Sequence, residues 1–370
     1  MYEMKGIRYA EGLLRFLLAT AMAWLGCIAL VSCDQGDTGV ENTDAHITLT
    51  LCLKGTDTDN NTRIGQSGDK QLASRSENDE PEDPGTEMEN SIDLSKFHVV
   101  FYQTNQKMAG ILQDMVLVHL GGNIYRLTGS LPVSNKVLVG NHFVGKMVVY
   151  ANFDMSEDDL QKDYNDTHIA EKSFSYDANK SLPMWGVQKV NFTLAAGKRQ
   201  DFSDIDLLRA VAKVKVYLSN DMKKNGWSIY SMQLFNYNNK GYCMPGKYTD
   251  CERTASLTHE KFEHFYDSKQ TGGITMTDDV PIYLPEYQNN GKKDADKCVI
   301  KLKLARNGSV ESYTLRFKEY TNEGKEGTTT NDIVRDHYYI FEVYKGSNGQ
   351  NLVKLTVRKW NVREHEDIVM

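Results

Sequence analysis

The stretch Ile47-Thr48-Leu49-Thr50-Leu51-Cys52-Leu53 alternates with period two. That spacing puts Ile47, Leu49, Leu51 and Leu53 on one face of a β-strand. A second alternation, Leu208-Arg209-Ala210-Val211-Ala212-Lys213-Val214-Lys215-Val216-Tyr217-Leu218, sets Val214, Val216 and Leu218 with Leu208, Ala210 and Ala212, and turns Lys213 and Lys215 the other way. Shorter strand signals lie between and after them, at 97–102, 124–131, 146–153, 189–194, 227–237, 280–284, 298–304, 313–317, 338–344 and 352–357. Gly121-Gly122-Asn123 breaks the chain before one of these, and Arg306-Asn307-Gly308-Ser309 predicts a hairpin, since Asn-Gly accepts the positive φ of a type I′ turn. One short helix is expected over Glu157–Tyr164, capped by Ser156 and favoured by three acids in its first turn. Tyr 20 and Phe 13 against Pro 7 agree with a mainly all-β chain of two antiparallel β-sandwiches.

Outside the strands, the chain divides by composition. Lys5, Arg8 and Arg15 precede an uncharged run, Phe16 to Val31, long enough to enter a translocon and short for a stable span. Leu30-Val31-Ser32-Cys33 resembles a lipobox, which implies cleavage before Cys33 and lipid on its thiol; an uncut membrane anchor is the alternative. Cys27 is the weaker candidate, because Trp24 stands where a lipobox has Leu. Residues 1–32 are therefore read as signal peptide and 33–54 as tether plus first strand. Residues 55–90 form a polar, acidic linker, much longer than an ordinary connection. Seven acids and no base lie between Ser76 and Asn90, the source of most of the formal charge of −7. A sandwich over 91–197, completed by strand 47–53, and another over 198–370 follow, with the boundary placed at Ala195–Ser203.

Chemistry finds little support in the residues. His259 and His264 flank Glu260 one residue too far apart to share the helical face that a zinc-protease pair needs. Asp57-Thr58-Asp59-Asn60-Asn61 starts like a calcium loop, but Thr62 and Gly68 occupy its turn and bidentate positions. His98, His119 and His142 fall on or near apolar strands, where packing explains them. With no phosphate loop and no nucleophile motif, no catalytic or metal residue and no cofactor is assigned; 43 bases against 50 acids leave no nucleic-acid footprint. Four cysteines beyond the signal are no disulfide framework, although Cys243 and Cys251 could close a short loop. Tyr237, Tyr242, Tyr248 and Tyr266 lie in turn-rich sequence, and a sugar-stacking platform there would make the chain a surface glycan-binding lipoprotein.

The order Lys146-Met147-Val148-Val149-Tyr150-Ala151-Asn152, Leu182-Pro183-Met184-Trp185-Gly186, then Leu208 to Val214, resembles the fimbrillin-like lipoproteins of the Bacteroidales, the subunits of type V pili. Ile282-Tyr283-Leu284-Pro285-Glu286, Arg335-Asp336-His337-Tyr338-Tyr339-Ile340 and Trp360 continue the match. The resemblance implies two transthyretin-like sandwiches and a non-enzymatic fimbrial subunit at the outer membrane and cell surface. It also implies an arginine-specific protease that cuts after the first strand, at Arg75 or at Arg63, so that Ile47 to Leu53 leaves and another subunit's strand fills the groove. Val362, Ile368 and Met370 are the alternating positions of a C-terminal donor, but Arg363 to Asp367 interrupt it, which fits a tip or anchor better than a stalk subunit. Partners are then other pilus subunits, the outer membrane through Cys33, the protease and a host or bacterial surface ligand.

Overall fold

The computed structural model describes residues 44–53, 86–121, 123–164, 169, 171–175, 177, 180–245, 265–321, 323–347 and 349–360. Its first strand, β1 (Ala45–Cys52), buries the row Ala45, Ile47, Leu49, Leu51, with Leu53 beyond it, in one core. A one-turn helix α1 (Glu87–Asn90) precedes β2 (Phe97–Gln103), β3 (Met108–Ile111), β4 (Gln113–Gly121), β5 (Ile124–Leu131) and β6 (His142–Ala151). Helix α2 (Glu157–Leu160), β7 (Ser173–Ser175), β8 (Met184–Thr193), β9 (Arg199–Asp201), β10 (Ile205–Asp206) and β11 (Leu208–Arg209) complete this half. One sheet runs β10-β1-β5-β4, with β9 also beside β1, and the other β11-β8-β6-β2-β3. Their facing side chains, among them Leu127, Leu131, Phe101, Phe143 and Phe192, share the core of β1.

The second half starts at β12 (Val211–Leu218) and α3 (Asn220–Lys224), then β13 (Ser228–Phe235), β14 (Tyr237–Asn238), β15 (Lys240–Tyr242), β16 (Lys269–Gln270), β17 (Ile274–Thr275) and β18 (Ile282–Pro285). It ends with β19 (Val299–Arg306), β20 (Ser309–Arg316), β21 (Lys318–Tyr320), β22 (Glu326–Thr330), β23 (His337–Lys345) and β24 (Asn351–Lys359). Sheets β18-β12-β23-β24 and β17-β13-β19-β20 enclose a separate core around Val214, Val216, Leu302, Leu304 and Phe341. Most pairings are antiparallel; β12 with β23, and β1 with β9 and β10, are parallel.

Several expectations change in the folded chain. The alternation from Leu208 to Leu218 is two strands: β11 pairs with β8, whereas β12 joins the second half. Alternation alone cannot reveal the exchange, because both sides of the break present apolar rows to a core. For the same reason the first sandwich extends past Ala195–Ser203, as β9 and β10 return to flank β1 and β11 flanks β8. The last residues of the expected linker belong to the fold: Thr86 and Glu89 cap α1 reciprocally, and Glu89 is buried. Helix α2 is shorter than Glu157–Tyr164: a capping box of Ser156 and Asp159 fixes its start as expected, and it ends at Leu160, with Asp159 also paired to Lys172. Trp185 and Gly186 lie within β8, where a Cβ on Gly186 would come within 2.6 Å of the Asp206 carbonyl oxygen. The Asn307-Gly308 turn has positive φ at both residues, 49° and 81°, as a type I′ hairpin requires.

The middle sheet also explains why Met147 to Ala151 reads as a continuous apolar run. One face of β6 meets the first core, and the other meets Phe153, Tyr164, Ile169, Cys243 and Met244. A strand buried on both faces has no polar side to alternate with.

Candidate functional site

β1 lies inside its sheet, paired along its length on one side and in two short stretches on the other. Against β5 it is antiparallel, from Ala45 opposite Leu131 to Cys52 opposite Ile124. On its other side His46, Ile47 and Thr48 face β9, and Leu51 and Cys52 face β10, both parallel. Backbone bonds close these margins: His46 N–H donates to Lys198 O at 2.8 Å, Phe202 N–H to Thr48 O at 2.9 Å and Leu207 N–H to Cys52 O at 2.8 Å. Ile47, Leu49, Leu51 and Leu53, taken from the sequence as one face, are at most 1% exposed. The structure brings these four together in one core, where β1 fills the groove between β5 on one side and β9 and β10 on the other.

The magnitudes set what this strand can do. Four fully buried aliphatic side chains contribute about 6–12 kcal/mol at about 1.5–3 kcal/mol each. That gross figure is comparable to the net stability of a whole domain, about 5–15 kcal/mol. An empty β1 groove would also leave amides and carbonyls of β5, β9 and β10 without partners. Removing β1 would therefore cost the first sandwich on the scale of a domain's whole net stability.

Beyond the strand, the chain re-enters the described body at Thr86 and is fastened at once. Glu89 accepts hydrogen bonds at Oε1 from Lys213 Nζ at 2.7 Å and from Tyr283 Oη at 2.6 Å, while its Oε2 accepts from Thr86 N–H. Arg209 donates from Nε to Glu89 O at 3.2 Å and from Nη2 to Asn90 Oδ1 at 2.6 Å, and its Nη1 stands 3.6 Å from Asp336 Oδ1. Its guanidinium lies 4.7 Å from the ring centre of Trp360, which stacks on Tyr283 at 5.5 Å. Lys213 Nζ lies 4.8 Å from the Tyr338 ring and 5.3 Å from that of Trp360. Burial lowers the pKa of Arg209, with Asp336 and then Glu89 opposing the shift. Two acids and two bases thus compensate one another between the halves. The sequence indicated only that Lys213 faces away from its core; Glu89 was hidden in a run of acids.

Tyr125 links this junction to the groove. It is opposite Leu51 of β1, and its hydroxyl donates to Asn90 O at 2.8 Å. His119 stacks on the Tyr125 ring at 4.6 Å, and His142 hydrogen-bonds Thr193 at 3.2 Å. His98 is half-buried, and burial lowers its pKa. Among the described residues no group of His, Cys, Asp or Glu is placed to hold a metal ion. Tyr237 packs against the second core, and Tyr242 meets Tyr266 edge to face at 5.1 Å. Cys33, Arg63, Arg75, Val362, Ile368 and Met370 lie outside the described residues, as do Cys27, Asp57–Asn61, Tyr248, Cys251 and the His259–His264 segment.

Comparison with known proteins finds one family and several solved structures of partial similarity. The model of the family described as fimbrillin-A associated anchor proteins Mfa1 and Mfa2 matches residues 49–366. No curated protein matches the chain. Among solved structures, the C-terminally truncated tip fimbrial protein Mfa3 of Porphyromonas gingivalis is 14% identical, with a TM-score of 0.49 over 86% of this chain and 100% of that one. A fimbrilin (fimA) of the same species is 12% identical, with a TM-score of 0.47 over 88% and 100%. A fimbrial assembly protein of Parabacteroides distasonis is 13% identical, with a TM-score of 0.47 over 85% and 96%.

Proposed function

The chain belongs to the family of fimbrillin-A associated anchor proteins Mfa1 and Mfa2, and from that premise we propose that it is the lipid-held anchor of a fimbrium. It is a structural fimbrial protein and not an enzyme. In this reading the chain is exported as a lipoprotein, fixed to the outer membrane through Cys33, and keeps β1 in its own groove with Arg75 and Arg63 uncut. The observation that carries it is the placement of β1. An alternating strand whose apolar face is fully buried begins twelve residues after Cys33, so the lipid is fastened to the fold through that strand. The anchors named in the family, and a C-terminal segment whose apolar positions are broken by Arg363, Glu364, His365, Glu366 and Asp367, both favour an anchor over a repeating subunit. Strand exchange remains available to the same geometry: cutting at Arg75 would free lipid, tether and β1 together, and an incoming strand would satisfy the vacated edges and pockets.

Mass spectrometry of the protein recovered with surface filaments tests the reading. An anchor begins at lipidated Cys33. A mature N-terminus at Ser76 or Ile64 would instead make the chain a polymerised tip or stalk subunit, and Arg75→Ala would then leave it lipidated and unassembled. Polysaccharide binding by a chain that never accompanies filaments would replace both with a surface glycan-binding role.

A further inference from the structure

Strand β4 ends the first sheet on the side away from β10. Its outward residues Val116, Val118 and Leu120 are 56%, 51% and 47% exposed. Exposed strand edges invite pairing, and proteins commonly guard them with charge or make them short. Other margins here follow that practice: Arg199 and Asp201 are on β9, Glu311 and Arg316 on β20, and Lys354 and Arg358 on β24. The margins β3, β10, β11, β17 and β18 have at most four residues each. β4 has nine residues and no Asp, Glu, Lys or Arg from Met115 to Leu120.

The linker and the segment after Trp360 are poor cover for it. The linker leaves close by, since Leu53 N–H donates to Asn123 O at 2.9 Å in the turn between β4 and β5. Yet residues 54–85 contain no alternating apolar run, only Ile64 and the Leu72-Ala73 pair among polar residues. The segment after Trp360 is interrupted by charge. A second copy fits better. Met115-Val116-Leu117-Val118-His119 reads nearly the same in both directions about Leu117. In an antiparallel pair centred there, Val116 stands opposite Val118 of the second copy, within the stretch Val116–His119 where β4 is regular between two breaks in register. No like charges meet, and the β-branched pairs are of the kind that stabilise sheets.

We propose that β4 is a self-pairing edge, through which two copies of this chain join antiparallel about a twofold axis and extend the sheet that holds β1. The contact is isologous, so it closes at two and does not build a fibre. A strand pair alone is smaller than the roughly 1,200–2,000 Å² of a standard interface, so the dimer is weak in free solution. Confinement of lipidated copies to a membrane surface would raise their effective concentration.

The test uses the purified full chain at about 1 mM, where a contact of about 4 kcal/mol is half-formed. Val116→Cys and Val118→Cys chains are oxidised separately and as an equimolar mixture, with the unsubstituted chain as background. The mixture is expected to give about tenfold more disulfide dimer than either variant alone, the ratio set by about 1.4 kcal/mol of register preference. Val118→Glu, with Arg126 opposite it on β5, is expected to abolish sedimentation as a dimer, while Val118→Thr keeps it. Circular dichroism of each variant confirms folding. Equal cross-linking of single variants and mixture, a chain that sediments as monomer at this concentration, or a Val118→Glu dimer would each overturn the proposal. So would pairing of β4 only with a different fimbrial subunit.

Discussion

Replacing Leu49 by Ala is the sharpest test of β1 as the strand that completes the first sandwich. Leu49 is 1% exposed and stands opposite Leu127, which is also buried, in a core that both sheets line. Buried Leu→Ala changes cost about 2–5 kcal/mol, the larger values where neighbours cannot collapse into the space. Leu49 lies mid-strand, between the stretches held by β9 and β10, so about 3 kcal/mol is expected. Thr50→Ala is the control: it faces the other side of the same strand, half-buried, and should cost under about 1 kcal/mol. Urea unfolding of the full chain measures both. Because the halves have separate cores, the loss should appear in the transition of the first sandwich. After limited proteolysis in the linker, β1 is held only non-covalently, and the same 3 kcal/mol should loosen the released fragment about a hundredfold. If Leu49→Ala costs no more than Thr50→Ala, or if the nicked fragment leaves wild-type protein freely on gel filtration, β1 does not hold the sandwich as argued.

Three further outcomes are expected. Glu89→Gln should cost about 3–5 kcal/mol in urea unfolding, because Lys213 is 2% exposed and would lose its carboxylate partner; Glu89→Leu combined with Lys213→Met should cost less than the sum of its parts. Burial pushes Cys243 up to about 12 from 9.0 and Tyr287 up to about 12 from 10.0. Folded values above unfolded ones mean that this stability is complete below about pH 9 and is lost as pH rises toward about 12, so the urea midpoint should fall over that window. Gly145→Ala should destabilise the first sandwich by about 1–3 kcal/mol, read as a lower melting temperature. Its Cβ would fall 2.1 Å from the Tyr102 carbonyl oxygen, which belongs to backbone and cannot step aside.

What the sequence made legible was local. Ile47 to Leu53 and Lys189 to Leu194 carry their alternation in their own residues, and Arg306 to Ser309 carries its turn in Asn307 and Gly308. Each is decided by neighbours a few residues away. Strand β1 was legible as a strand with an apolar face, but not its placement between β5 on one side and β9 and β10 on the other. That arrangement needs residues 124–131 and 199–206, and the two-residue β10 has no period to read. The junction was hardest to foresee. Glu89 looks solvated among seven acids, Arg209 and Lys213 look like ordinary charges on a strand, and Asp336 lies more than a hundred residues further on. Only the fold places them within reach of each other.

The junction also bears on how the folded body would respond to a pull. After the linker the chain re-enters the described body at Thr86 and leaves it at Trp360, and a short chain of contacts joins the two: Thr86 to Glu89, Glu89 to Tyr283, and Tyr283 to the Trp360 ring. A pull between these points loads the buried ion pairs before it peels a strand from either hydrophobic core. Hydrogen bonds to a charged group sheltered from water are strong, and they lose their energy over a small displacement, so the joint resists with little stretch and then gives way abruptly. In mechanical terms the cluster is a rivet between the return of the chain from the linker and its exit at Trp360, and for a pull between those two points the sandwiches behind it are shielded until it fails.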